Sequence, residues 1–402
     1  MKDEKKAPKL RFKGFTDDWE QCKLKNKAEI VRGASPRPIS NPKWFDDNSN
    51  VGWLRISDVT EQKGRIHHLS QHISKAGQSK TRVITEPHLL LSIAATVGSP
   101  VINYVNTGVH DGFLIFLNPT FNKEFMFQWL LMFKPYWNKY GQPGSQVNLN
   151  SDIVGNQSVA FPTTSEQERI ANFFSELDTA ITLHEEKKQQ LKCLKSALLQ
   201  KMFAYKNKSG DPDVRFKGFD ERWERHMLND LAIFNPKGTL PTSFEYVDLG
   251  SVIGVEMISH KTISKFDAPS RAQRLAQVGD LFYQTVRPYQ QNNYLFDNKD
   301  NAYVFSTGYA QLRPLIDGYF LLCLVQTKSF VRKVMNACTG TSYPAINSQD
   351  LAQIGVNIPI NSKEQRLIGN LYKVIDNLIM LYQQKLDDLN TIKQSLLQKM
   401  FI

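Results

Sequence analysis

Cysteine is scarce in this 402-residue chain: Cys22, Cys193, Cys323 and Cys338 are widely separated, with no Cys-x-x-Cys pair and no zinc-ligand spacing. That usage excludes a disulfide framework and suits a reducing compartment such as the cytoplasm. No apolar run approaches the roughly 18–20 residues of a membrane-spanning helix, and the basic stretch Met1 to Lys9 lacks the apolar core of a signal peptide. The motifs of catalysis are also missing. Without Gly-x-x-x-x-Gly-Lys-Ser/Thr no P-loop ATPase is expected, and no glycine-rich strand–turn–helix signature announces a nucleotide or methyl-donor site. The Asn-Pro pairs at Asn41, Asn118 and Asn235 are followed by Lys43, Thr120 and Lys237, so none makes the Asn-Pro-Pro-aromatic segment of amino-methyltransferases. There is no Gly-x-Ser-x-Gly elbow, and adjacent His67 and His68 have no second ligand cluster to complete a metal site. Intrinsic catalysis and a bound metal are not expected.

What is present is a globular composition, 41% hydrophobic and 22% charged, with 50 basic against 39 acidic side chains and a net charge of +11. The excess invites a polyanion but does not identify one. It is uneven: residues 211–360 carry fifteen basic and fifteen acidic side chains and are neutral overall.

Internal repetition is the stronger signal. Arg11 to Leu24 (RFKGFTDDWEQCKL) returns as Arg215 to Leu228 (RFKGFDERWERHML) with eight of fourteen positions identical. Glu166 to Phe203 returns, shifted by 198, as Glu364 to Phe401 with sixteen identities, and both blocks end LLQKMF. A period of about 200 residues means domain duplication, not a solenoid.

The two similar blocks read as long helices. Ile368, Tyr372, Ile375, Ile379, Tyr382, Leu386, Leu389, Leu396 and Met400 recur at steps of three and four, Lys393 filling the missing turn. The first block repeats the frame with Ile170, Phe174, Leu177, Ile181, Leu191, Leu198 and Met202, interrupted by His184, Lys188 and Lys195. Sustained 3.5-residue spacing argues for a coiled-coil seam. Ser165 before Glu168 and Ser362 before Gln365 suggest capping boxes, after breaks at Pro162 and Pro359. A helix of about 38 residues rises on the order of 57 Å, too long to be covered by a neighbouring domain of about 140 residues. The two helices are therefore expected to pack on each other, antiparallel if a pseudo-two-fold relates the repeats. The polar interruptions read as solvated or partner-facing positions, and His184 as structural.

Residues 16–160 and 220–358 differ through most of their length. Both carry short β-rich runs (Leu89 to Val97, Val101 to Val105, Phe113 to Leu117; Leu281 to Val286, Tyr303 to Phe305) and a late helix (Lys123 to Met132; Tyr319 to Asn336). The expected class is α+β, not a doubly wound parallel sheet. The expected layout is a first domain over 1–160, a central helix over 161–206, a second domain over 207–360 and a C-terminal helix over 361–402. Ala204 to Val214 reads as a linker. Phe12, Phe15 and Trp19, with Phe216, Phe219 and Trp223, read as packing anchors where domain meets helix, each RFKGF near the end of a long helix. A competing reading makes Arg11 and Arg215 DNA contacts.

Two unlike domains, two like helices introduced by Pro and then Glu-Gln (Glu166–Gln167, Glu364–Gln365), the RFKGF-x3-WE repeats and the LLQKMF ends together resemble a type I restriction–modification specificity subunit. The resemblance covers essentially the whole chain. It implies a non-catalytic DNA reader in which each variable domain binds one half of a bipartite, non-palindromic target and the helices form an antiparallel spacer. It further implies docking of two modification subunits, which hold S-adenosylmethionine and methylate adenine. Two restriction subunits using ATP and Mg would complete the complex. A duplicated coiled-coil scaffold that binds only proteins, and an autonomous DNA-modifying enzyme, remain as alternatives.

Base reading requires donors and acceptors on groove-sized elements, typically Arg on guanine and Asn or Gln on adenine. In the second domain, Thr285 to Tyr294 gathers Arg287, Gln290, Gln291, Asn292 and Asn293 beside Tyr289. In the first, Arg32, Arg37, Lys80, Arg82, Gln142, Ser145, Gln146 and Asn148 are the candidates. The bland reading of such clusters is an ordinary solvated loop, and the lysines and many of the arginines are expected on phosphates more than on bases.

Overall fold

The computed structural model describes residues 7–140, 149–203, 212–299, 302–340 and 342–401. Its contacts divide the chain into two compact units, residues 1–184 with 385–402, and residues 185–384. The proposed linker falls largely outside the described residues.

In the first unit a five-stranded sheet runs in the order Glu29–Arg32, Phe113–Leu117, Leu89–Ser92, Pro100–Asn103, Arg65–Ile66. The short apolar run Leu89–Ser92 is buried on both faces because neighbouring side chains point to opposite sides of the sheet. Leu89 and Leu91 join Trp19, Phe125, Trp129 and Phe174, whereas Leu90 joins Leu54, Ile66, Phe113 and Ile115. A three-stranded sheet, Gly52–Trp53, Thr107–Val109, Arg82–Ile84, completes the unit's main strands.

The second unit repeats this plan with different residues. Its first sheet is ordered Ala232–Phe234, Tyr309–Pro314, Leu281–Gln284, Tyr294–Leu295. Leu281 and Tyr283 face Phe320 and Phe330, and Phe282 faces Val247, Phe296 and Phe305 on the other side. The second sheet pairs Ser243–Val247 in parallel with Tyr303–Ser306, as Gly52–Trp53 pairs in parallel with Thr107–Val109. The class is α+β, as expected. One boundary differs: the apolar stretch Tyr319 to Asn336 forms two helices, Gly318–Val325 and Lys328–Ala337. Thr327 breaks it because its hydroxyl accepts from the Phe330 amide at 3.2 Å and starts a new helix.

The long helices are Thr164–Met202 and Ser362–Met400, 39 residues each. Each gives one half to each unit, and within each unit the two halves run antiparallel. In the first unit Phe174 lies 6.1 Å from Phe401 and Lys393 reaches Asp178 at 2.5 Å. In the second Phe203 lies 6.2 Å from Tyr372 and Lys195 reaches Asp376 at 2.5 Å. Of the seam positions, Ile170, Phe174, Ile181, Ile368, Tyr372, Ile375 and Leu386 are buried. Leu177, Leu191, Leu198, Ile379, Tyr382, Leu389 and Leu396 are half-buried.

Of the two readings of the seam lysines the partner-facing one holds: Lys195 and Lys393 are ion-paired across the helix pair, and Lys188 donates to Gln383. One expectation is corrected. The caps are Thr163 and Asn361, not Ser165 and Ser362; the Thr163 hydroxyl accepts from the Glu166 amide at 3.4 Å and Asn361 Oδ1 from the Lys363 amide at 3.0 Å. The serines lie inside the first turn.

The reason the Glu-Gln pair recurs is then visible. Arg11 grips Glu166 with Nε and Nη2 at 2.8 and 2.7 Å, and Arg215 grips Glu364 at 2.9 and 2.8 Å. Both glutamates are 1% exposed. The paired hydrogen bonds raise the pKa of the Arg11 guanidinium, and a two-pronged fork is the geometry arginine supplies and lysine does not. Gln167 and Gln365 donate to the Pro162 and Pro359 carbonyls at 2.9 Å, fixing the entry to each helix. Arg11 and Arg215 thus act as structural clamps on buried carboxylates. Trp19 and Trp223 are buried as anchors. Each RFKGF also meets a helix end: the Leu10 amide donates to Lys399 O at 2.9 Å, and the Val214 amide to Lys201 O at 3.2 Å.

Candidate nucleic-acid interface

In the first unit, two of the candidate arginines meet at Asp111 and a third is tied to one of them. The chain leaves strand Glu29–Arg32 through Gly33, where an added Cβ would lie 2.1 Å from the His110 carbonyl, so only glycine allows this approach. The loop that follows is held against the turn at His110–Gly112. Arg32 Nε donates to the Asp111 carbonyl at 2.6 Å, Arg37 Nη2 to Asp111 Oδ2 at 2.6 Å, and the Ser35 hydroxyl to Asp111 Oδ1 at 2.6 Å. Arg82 Nε donates to the Arg32 carbonyl at 2.8 Å. The Ser35 hydroxyl, with Arg37 and Arg32 behind it, holds the Asp111 carboxyl below its ordinary range. Burial against Trp53 and Phe113 pushes the His110 imidazole down. Lys80 is exposed two residues before Arg82, and the intervening Thr81 hydroxyl donates to the Ala34 carbonyl at 2.5 Å, tying the segments together. Gln142, Ser145, Gln146 and Asn148 lie outside the described residues.

In the second unit the candidates sit on the turn that follows strand Leu281–Gln284. Arg287 takes φ +54°, its amide donates to the Pro344 carbonyl at 2.8 Å, and its guanidinium lies 4.5 Å above the ring of Tyr343. Tyr343 is 65% exposed, so the stacked pair is presented to solvent. The neighbouring polar groups hold the turn. Gln290 accepts from Gln284 Nε2 at 2.9 Å, Gln291 donates to Gln326 O at 2.7 Å, and Asn292 accepts from the Gly254 amide at 2.9 Å. Asn293 is 1% exposed and its Oδ1 accepts from the Gln284 amide at 2.9 Å. Asn293 therefore supports the turn from beneath, while Arg287, Tyr289 and Gln290 are on its accessible side. A cavity of about 720 Å³ adjoins it, lined by Gln290 and Gln291 together with Lys192, Lys328 and Arg332, which form no ion pair among the described residues.

The two units share this turn, which sequence comparison does not reveal. After strand Leu89–Ser92 the Ile93 amide donates to Gly112 O, and after Leu281–Gln284 the Thr285 amide donates to Gly308 O. Ser92 donates to the carbonyl two residues on, as Gln284 does. The third residue beyond each strand has positive φ, Ala95 at +56° and Arg287 at +54°. The segment Ile93–Gly98 of the first unit is the position sequence reasoning missed. Its only signal is that it follows the run LLLS as the second turn follows LFYQ. His67 and His68 form no metal cluster among the described residues, and His67 is stacked on Tyr104.

Comparison with known proteins agrees with this architecture. The model of the type I restriction modification DNA specificity domain matches the chain twice, over residues 16–193 and 221–391. The chain belongs to that family of DNA specificity components. Among solved structures it is similar to the type I restriction–modification S subunit from M. genitalium, at 14% identity and a TM-score of 0.65, covering 98% of this chain and 99% of that one. It is also similar to a chain solved for the complex assembly and conformational transition of the type I R-M system, at 16% identity and a TM-score of 0.53, covering 96% and 98%. The role of the family is to confer DNA sequence specificity and not to catalyse.

Proposed function

We propose that each unit reads one half of a bipartite, asymmetric DNA target. The observation that carries this reading is the shared turn, built on the same strand plan in both units but presenting Ala95 in one and a stacked Arg287 in the other. Like scaffolds with unlike surfaces suit unlike half-sites. In the first unit Arg32, Arg37, Lys80 and Arg82 supply phosphate and base contacts; in the second, Arg287 and Gln290 read bases while Lys192, Lys328 and Arg332 attract the backbone.

Two methyltransferase subunits carrying S-adenosylmethionine dock on the long helices, and two motor-endonuclease subunits using ATP and Mg join them, in the cytoplasm. No helix among the described residues is long and apolar enough to cross a membrane. Exposed Leu367, Val374, Leu378 and Leu381 fall at steps of seven, four and three along the second helix, one apolar face suited to a partner helix. The helices also set the gap between half-sites, so deleting four residues, a little over one turn, changes the preferred gap. Methylome sequencing of cells with and without the chain tests the reading: a bipartite motif that appears only with the chain supports it, and an unchanged methylome rejects it.

A further inference from the structure

The arginine cluster of the first unit is unusual in containing its own counter-ion. A side chain kept ready for phosphate gains nothing from an acid that occupies its donors. Yet Arg37, on a side chain 72% exposed, is spent on Asp111 Oδ2 at 2.6 Å, and Arg32 on the carbonyl of the same residue. Ser35 fixes the second carboxylate oxygen at 2.6 Å, so the acid is aimed and does not merely lie nearby. A carboxylate accepting arginine donors occupies the place a phosphate oxygen would take and repels the phosphate as well. Among the described residues the second unit shows no equivalent: Thr307 precedes Gly308 where Asp111 precedes Gly112, and Arg287 rests on a neutral ring.

We infer that Asp111 is a specificity-determining residue that stands in for DNA phosphate, holding Arg37 out of contact until a matching half-site supplies enough other contacts to displace it. The inference rests on the DNA-reading role above and adds a discrimination step to it. Non-specific DNA offers only phosphates, and an arginine already paired with a carboxylate gains little by exchanging one anion for another. A correct half-site adds base contacts, and the exchange then proceeds. The acid costs affinity everywhere but costs most where binding is purely electrostatic.

The test is Asp111→Asn in the full chain assembled with its modification subunits, titrated against target DNA and scrambled DNA over a range of salt. Asparagine keeps the size and an acceptor for Ser35 while removing the charge. One additional phosphate contact steepens the dependence of log affinity on log salt by about 0.9, which at 0.1 M salt is roughly eightfold in affinity. The expected result is that gain on scrambled DNA, a smaller gain on target, and a lower ratio between them. Arg37→Ala in the Asp111→Asn background should abolish the gain. Equal loss on both DNAs would mean that Asp111 only shapes the loop, and no change on either would mean that the pair is inert; both overturn the inference. If the wild-type assembly itself showed no preference for any target, the DNA-reading role would fail first, and the two failures are distinguishable.

Discussion

The two units solve one packing problem with shared residues and a second with different ones. At the helix entry they are nearly interchangeable: Arg11 on Glu166 and Arg215 on Glu364, each bidentate and each on a buried carboxylate. One layer further along the helix pair they diverge. In the first unit Asp178 receives Lys393, Arg65 at 3.0 Å and Gln128 at 3.0 Å, while Arg65 also grips Glu124 at 2.6 Å. In the second, the equivalent Asp376 receives, among the described residues, only Lys195 and the Tyr319 hydroxyl at 2.8 Å. The clamp belongs to the repeated scaffold; the groups that reach the aspartate from the sheet domain belong to the variable part. A duplicated frame can therefore hold two unlike domains provided each supplies its own donor to the same acid.

The largest effect is expected at the clamps. Removing one partner of a buried ion pair costs about 3–5 kcal/mol because the other charge is left uncompensated. Arg11→Ala and Arg215→Ala should each lower stability by that order in chemical denaturation, and by similar amounts. A loss confined to DNA affinity, with stability intact, would restore these arginines to the DNA surface.

A smaller and unequal effect is expected at the aspartates. Asp178→Asn should cost on the order of 3 kcal/mol and Asp376→Asn less, since fewer charged donors are stranded. Burial alone would raise the Asp178 carboxyl, but Lys393, Arg65 and Gln128 hold it below its ordinary value. A carboxylate with a lowered folded-state pKa stabilises fully above the unfolded value, about 3.9. That stabilisation is lost as pH falls through the folded value. Asp178→Asn should therefore flatten the acid limb of stability against pH, and an unaltered limb would contradict the pairing. The smallest effect is expected from Tyr343→Ala. Losing an exposed stack under Arg287 should weaken target binding by about 0.5–1 kcal/mol, measured as a shift in Kd with stability unchanged.

Much of the scaffold is legible in the sequence because it is carried by repetition and period. The 198-residue shift, the seam positions and the buried tryptophans of the RFKGF segments follow from spacing and residue type alone. The partners of Lys195 and Lys393 do not, because a lysine in a hydrophobic frame looks the same whether it meets water or Asp376 and Asp178 across a helix pair. The common strand plan is also hidden. A strand buried on both faces demands only apolar bulk, which Leu89-Leu90-Leu91 and Leu281-Phe282-Tyr283 meet without resembling each other. Of the candidate site, the Arg287 turn is visible as a cluster of polar side chains, but not the division between Arg287 on its surface and Asn293 beneath it. Asp111 carries no signal at all, since its meaning depends on arginines about 74 and 79 residues away in the chain.

Separate reading of the two half-sites by the two units is tested most directly by a methylation map of the assembled complex carrying Arg287→Ala with Gln290→Ala. Relaxed or lost recognition is expected at positions of one half-site, about 1–3 kcal/mol of discrimination for each lost bidentate base contact, with the other half-site read as before. A map in which both half-sites change together, or in which recognition weakens uniformly on all DNA, would contradict it.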